Sequence, residues 1–171
     1  MLRFLQNNLV VAYILTIIRI YLGWQWAVAG WEKITGSFDA SGFLKGALTK
    51  ASGEHPAVQP WWSTFLEQLA LPHVEWFNVL VPWGEFLVGI GLILGVCTTF
   101  SVFVALLLNF SYMFSGTTST NPQMILMEFI LLAAAFNSSK IGLDRVLVPY
   151  ARNVWEKVVF RKRSTVSVER T

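Results

Sequence analysis

The chain has 171 residues, one domain's worth of length, with 54% hydrophobic and 13% charged residues, against about 25% charged in an ordinary soluble domain. That balance excludes a soluble globular fold and reads as an integral membrane protein. The net charge of +3 is no nucleic-acid signature, because the basic residues crowd the C-terminus, where membrane topology explains them.

The first apolar segment, 9–31, is a predicted span. Arg3 and the run Ala27-Val28-Ala29 imitate a signal peptide, but Arg19 interrupts the apolar run and Trp24 and Trp26 crowd the cleavage region, so the segment is expected to stay. The outer loop, 32–76, carries two helical patterns, Phe38–Ala51 and a second that begins at Pro60. With Trp61, Trp62 and Trp76 they predict short interfacial helices, either a plain anchor or a functional lid. Further spans are predicted over 77–96, 98–114 and 122–137, with Pro82 kinking or starting the second and Cys97 opening the turn into the third. The last two are short for a bilayer core that takes roughly 20 helical residues. The tail, 149–171, mixes apolar and basic residues; Val154, Trp155 and Val158 suit a surface helix beside anionic lipid, and beyond Phe160 disorder is expected.

The expected fold is therefore all-α: an integral membrane four-helix bundle over 1–148, with short extracytoplasmic helices between the first two spans and a basic cytoplasmic tail. Lys140, Arg145 and Arg152 follow the last span, whereas the loop 32–76 has more acids than bases. The positive-inside rule then puts both termini in the cytoplasm of a cell-membrane protein, with the long loop outside.

One cysteine, Cys97, allows no internal disulfide or CxxC pair, and His55 and His73 stand in no ligand-like spacing with it. No metal site is expected, and no flavin motif is present.

Four polar residues fall inside the predicted spans: Arg19, Glu85, Asn109 and Glu128. Ionisable groups there are functional-site hypotheses by default. A rise of about 1.5 Å per residue puts them roughly 15, 12, 16 and 9 Å into their spans, so they can share one layer. On the first span Arg19, Gly23, Trp26, Gly30 and Lys33 lie on one line. The expectation is that Arg19 pairs with Glu85, Glu128 or both. A buried pair can be purely structural. Yet one arginine cannot neutralise two glutamates, and the surplus carboxylate would be a proton carrier, suited to a quinone head group. Trp24, Trp26, Trp31, Trp83, Phe86 and Tyr112 can supply aromatic walls.

The series Arg19, Gly23, Gly30 and Lys33, the segment WGEFLVGIGLILGVCTTF and the segment NPQMILMEFILLAAA resemble, in that order, the first, second and fourth helices of the DoxX family. The long outer loop is most similar to its DoxD-like branch. That resemblance implies a membrane subunit of a thiosulfate:quinone oxidoreductase, with a membrane quinone as electron acceptor and a partner subunit of a redox complex. It makes Arg19, Glu85 and Glu128 candidate catalytic residues, and Lys33 a candidate for the outer mouth; Asn109, Trp26, Trp83 and Tyr112 are added as candidate binding residues. Thiosulfate is a dianion, which sits poorly beside two carboxylates and is expected either at the outer mouth near Lys33 or with both glutamates protonated. The alternatives are a non-catalytic scaffold that recruits a redox partner, or a small proton-coupled transporter or lipid-binding protein, and an oligomer is compatible with each.

Overall fold

The computed structural model describes residues 2–152. Of the tail expected at 149–171, the part from residue 153 onward, with its surface helix and its disorder, lies outside the described residues. Among the described residues every regular element is helical.

A short helix α1 (Leu2–Asn7) leads into α2 (Leu9–Thr35). Asn8 starts α2 by accepting hydrogen bonds from the Val10 and Val11 amides at 2.8 and 3.3 Å, the usual way to satisfy free amides at a helix start. The helix runs four residues past the expected end at 31 and takes in Lys33. Next come α3 (Ala40–Thr49) and α4 (Pro60–Phe65), the latter continued by a π-helical stretch, Leu66–Ala70. α5 (Val74–Leu94) starts ahead of the expected 77, and Pro82 lies inside it rather than opening it. It ends at Gly95, whose left-handed backbone (φ 66°) forms a glycine C-cap. α6 (Thr98–Phe114) has the bounds the sequence predicts. α7 (Asn121–Ala133) stops short of 137, and the chain tightens into a 3-10 turn, Ala135–Ser138. Asn137 in that turn donates to the Leu5 and Asn8 carbonyls at 2.7 and 3.1 Å, which draws the chain end back to the start of α2.

α2 and α5 are long and apolar enough to cross a membrane; α6 and α7 are shorter apolar helices packed beside them. The backbones of α2 and α5 touch because glycines face each other. A Cβ on Gly30 would lie 2.4 Å from the Phe86 amide nitrogen, and one on Gly89 would lie 2.3 Å from that of Ala27. Leu15, Leu22, Trp26, Leu92, Val102, Leu106 and Leu131 fill the core. The outward faces are apolar: Tyr13, Ile17, Trp24, Leu80, Leu87, Phe100, Phe103, Leu107 and Leu126 are exposed, while Arg19, Glu85, Asn109 and Glu128 are buried. Charge inside and hydrocarbon outside is the distribution a bilayer selects.

α3 and α4 form a cap over one end. Ala40, Leu44, Ala47, Leu66 and Ala70 make a second small core against Phe77 and Val74 of α5. Three hydrogen bonds fasten the cap to the helices below: Ala40 N to Asn78 Oδ1 at 2.7 Å, Lys50 Nζ to Gly116 O at 3.0 Å, and Trp62 Nε1 to Ser115 Oγ at 2.9 Å. At the cap's entry, hydrogen bonds from the Ser41 hydroxyl and amide to the Asp39 carboxylate hold its pKa below the usual carboxylate range.

Candidate functional site

Arg19, Trp26 and Lys33 follow one another at seven-residue steps on α2, two helical turns each, and so share a face. Each meets a different set of partners. The single polar layer expected from the sequence is three separate levels.

At the capped end, Lys33 Nζ donates to both Glu85 carboxylate oxygens, at 2.7 and 2.6 Å. The Tyr112 hydroxyl donates to Glu85 Oε1 at 2.5 Å. Glu85 is buried, and the lysine also lies 5.7 Å from the Tyr112 ring centroid and 5.8 Å from that of Phe38. α2 brings Lys33 here because it extends beyond residue 31; α5 brings Glu85 on the ridge Phe77, Val81, Glu85 at four-residue spacing.

At the middle level Glu128 accepts from Trp26 Nε1 at 3.1 Å and from Asn109 Nδ2 at 2.8 and 3.0 Å. These donors are neutral, and Asn109 Oδ1 is buried without a hydrogen-bond partner in the structure.

At the opposite end Arg19 donates to the Ser138 carbonyl from Nη1 at 3.2 Å and to the Ile141 carbonyl from Nη2 at 2.7 Å. The nearby carboxylate acting on it is Asp144. Asp144 in turn accepts from the Cys97 and Thr98 amides at 2.7 and 2.8 Å, at the start of α6. The guanidinium lies between glycine backbones: a Cβ on Gly95 would come within 2.4 Å of Nη1 and one on Gly142 within 2.7 Å.

The expected pairing of Arg19 with Glu85 or Glu128 is therefore corrected. Lys33 takes the place given to Arg19 beside Glu85, and Glu128 has neutral partners. The depth estimate failed because it ended α2 at 31, started α5 at 77 and treated α7 as a full span. Lys33, counted as the mouth, sits in the cluster itself.

The Lys33 level opens onto a cavity of about 230 Å³ between the cap and the ends of α5 and α6. Its polar lining is Lys33, Ser111, Tyr112 and Ser115; aromatic walls come from Phe38, Phe43, Trp62, Phe65 and Phe77. Glu85 is not on the cavity wall, so an occupant meets the ammonium and the phenol, not the carboxylate. Two of the three ammonium N–H groups are committed to Glu85, leaving one donor and the Tyr112 oxygen lone pairs. Ser111 and Ser115 hydroxyls already donate to the Leu107 and Ser111 carbonyls, so they can only accept.

Of the candidate aromatic walls, Tyr112 lines this cavity. Trp26 belongs to the middle level, and Trp24, Trp31 and Trp83 are exposed on the outer surface, the last edge-on to Phe86. The cap aromatics Phe43, Trp62 and Phe65 were missed as wall residues. Their only signal was the helical spacing of the loop, which reads equally as an interfacial anchor. Asp144 was missed because it lies beyond the last predicted span. Cys97 lies in the α5–α6 turn, where the sequence places it, and is exposed; His55 and His73, between α3 and α5, are exposed as well. Among the described residues no cluster of histidine, cysteine or acidic side chains could hold a metal ion.

A family model described as DoxX matches residues 14–118, more than half of the chain. The stretch contains Arg19, Trp26, Lys33, Glu85, Asn109 and Tyr112 but not Glu128. No curated protein matches the chain, and no solved structure does.

Proposed function

Because the chain belongs to the DoxX family and is a membrane protein of that type, we propose that it is a quinone-linked membrane redox protein. Its head-group site is the cavity above Lys33, Glu85 and Tyr112. The observation that carries this reading is the opening of a half-buried ammonium–carboxylate–phenol cluster onto an aromatic-walled cavity. A flat ring suits those walls. The remaining ammonium N–H is a charge-assisted donor for a ring carbonyl. Reduction of a quinone to a quinol takes up two electrons and two protons. The cluster holds transferable protons on Lys33 and Tyr112, with Glu85 hydrogen-bonded to both and able to take a proton back. Lys33 binds and polarises; Glu85 is its positioning residue.

Thiosulfate is the donor we propose, as expected of a DoxD-like branch: two thiosulfates give one tetrathionate and two electrons. A dianion is ill suited to an apolar cavity whose lysine is already neutralised by Glu85. Thiosulfate then reacts outside the cavity, with a partner subunit the natural place for it. In the membrane, α2, α5, α6 and α7 are the four spans. The cap faces outward and both termini face the cytoplasm, in keeping with the basic residues after α7. α7 and its 3-10 turn span a locally thinned bilayer.

The test is quinol formation by the purified protein with thiosulfate and a menaquinone analogue, beside Lys33→Met and Tyr112→Phe. Turnover that falls in both variants while the folded fraction is kept supports the site. Ligand binding without turnover, in the presence of the native membrane fraction, would replace the redox reading with a lipid-binding one.

A further inference from the structure

The cavity has a water side and a bilayer side, and they are closed differently. On the water side the cap is held by directional hydrogen bonds: Ala40 to Asn78, Lys50 to Gly116 and Trp62 to Ser115. On the other side the wall is Phe77 and Val81 of α5 and Leu108 of α6. These three side chains are half-buried, and their neighbours Leu80 and Leu107 are exposed on the outer face. Phe, Val and Leu side chains carry no hydrogen-bonding group, so apolar packing alone closes the wall here, and a rotamer change can open it. The same ridge of α5 that carries Phe77 and Val81 ends at Glu85, so the wall leads from the outer face to the polar cluster.

We infer that the occupant is an amphiphile that enters sideways from the bilayer between α5 and α6, past Phe77, Val81 and Leu108. Its hydrogen-bond-accepting head meets the Lys33 ammonium, and its apolar tail stays in the doorway and the lipid. This rests on the ring-binding reading above and adds the route and the tail. A cavity of about 230 Å³ holds a head group and leaves an isoprenoid or alkyl tail outside. Lys33 gives the cavity wall a charge and Phe77, Val81 and Leu108 give it an apolar stretch, which together match the polarity of such a molecule. The cap then acts as a fixed roof.

Two measurements on the full-length protein in lipid nanodiscs test this. The first uses a phenol bearing a diazirine on its alkyl tail, photolysed in the unmodified protein and mapped by mass spectrometry. Adducts on Phe77, Val81 or Leu108 are expected; adducts confined to the cap residues Phe38, Phe43 or Trp62 would overturn the route. The second compares association rates of a long-tailed menaquinone and of its tail-less ring in Val81→Phe and Leu108→Phe. The long-tailed rate is expected to fall about tenfold, within the span over which association rates vary among related variants, with little change for the tail-less ring. Equal rates for both ligands in these variants would sink the doorway while leaving the quinone reading intact. Doorway adducts in a protein that never forms quinol would keep the route and remove the redox reading.

Discussion

Replacing Arg19 with methionine separates the end of the protein opposite the cap from its candidate site. In the structure Arg19 is 2% exposed and its two terminal nitrogens satisfy the carbonyls of Ser138 and Ile141. Methionine keeps an unbranched chain but donates nothing, so both carbonyls lose their partner in the interior and Asp144 loses the facing cation. Each lost hydrogen bond to a charged group is worth about 1.5–3 kcal/mol, and breaking one side of a buried charge contact about 3–5 kcal/mol. Relief of the arginine's own desolvation offsets part of this, which favours the lower end, about 3 kcal/mol. For a chain of this size that is a fall in Tm of roughly 6–12 °C. Lys33 lies fourteen residues further along α2, roughly 21 Å away, so the affinity for a quinone analogue is expected to stay within about twofold, as for distant, independent sites. Thermal unfolding in nanodiscs, with ligand titration on the same samples, reads both quantities. A variant with unchanged Tm and lost affinity would place Arg19 in the ligand site and refute the three-level description. Arg19→Lys, which can reach one carbonyl but not both in the same planar fork, is expected to fall between wild type and methionine.

Three further outcomes follow from the same geometry. Gly89→Ala puts a methyl against the Ala27 backbone at 2.3 Å and should cost about 3 kcal/mol or more, the upper end of overpacking; size-exclusion monodispersity and Tm report it, and a wild-type Tm would mean that α2 and α5 do not meet there. Trp26→Phe removes the indole donor to Glu128 while keeping most of the ring, with an expected loss of about 1–3 kcal/mol and unchanged ligand affinity, measured on the same two axes. Asp39 caps α3 with a carboxyl whose pKa is lowered in the fold; its support of the cap is therefore full above the unfolded value of about 3.9 and is lost as pH falls through the lower folded value. Amide exchange at the start of α3 should quicken only in that acid window, and Asp39→Ala should remove the dependence.

Much of the fold was legible because its signals are local. The apolar runs announced the helices, Cys97 marked the α5–α6 turn, and the bounds of α6 agree with those read from the sequence, since a glycine-ended helix before it and a polar stretch after it left little choice. The ends of α2 and α5 were misjudged for one reason: a charged or aromatic residue near a membrane boundary can continue a helix as easily as stop it. Lys33 continues α2, and Trp76 continues α5 backwards to Val74. The stop of α7 depended on Asn137 and Arg19 finding carbonyls across the structure, contacts with sequence separations above one hundred residues that no window along the chain reveals.

The buried charges were legible as a set and illegible as pairs. A face on a helix is a periodic property, and the line Arg19, Gly23, Trp26, Gly30, Lys33 was read correctly as facing inward. Depth is cumulative: every residue of error in a helix start moves a side chain by about 1.5 Å. Partner choice needs both, since a carboxylate one turn too deep meets a different cation. Seven-residue steps on α2 place Arg19, Trp26 and Lys33 two turns apart, farther than a salt bridge reaches, so Glu128 beside Trp26 and Glu85 beside Lys33 lie beyond Arg19. With Lys33 beside Glu85, the charge surplus that pointed to a proton carrier is divided. The capped cluster is balanced between an ammonium and a carboxylate, and the remaining acid, Glu128, stands apart with Trp26 and Asn109. The group that an incoming ligand meets is then a cation held by a hidden anion, which selects for an electron-rich oxygen on the ligand and against a second negative charge.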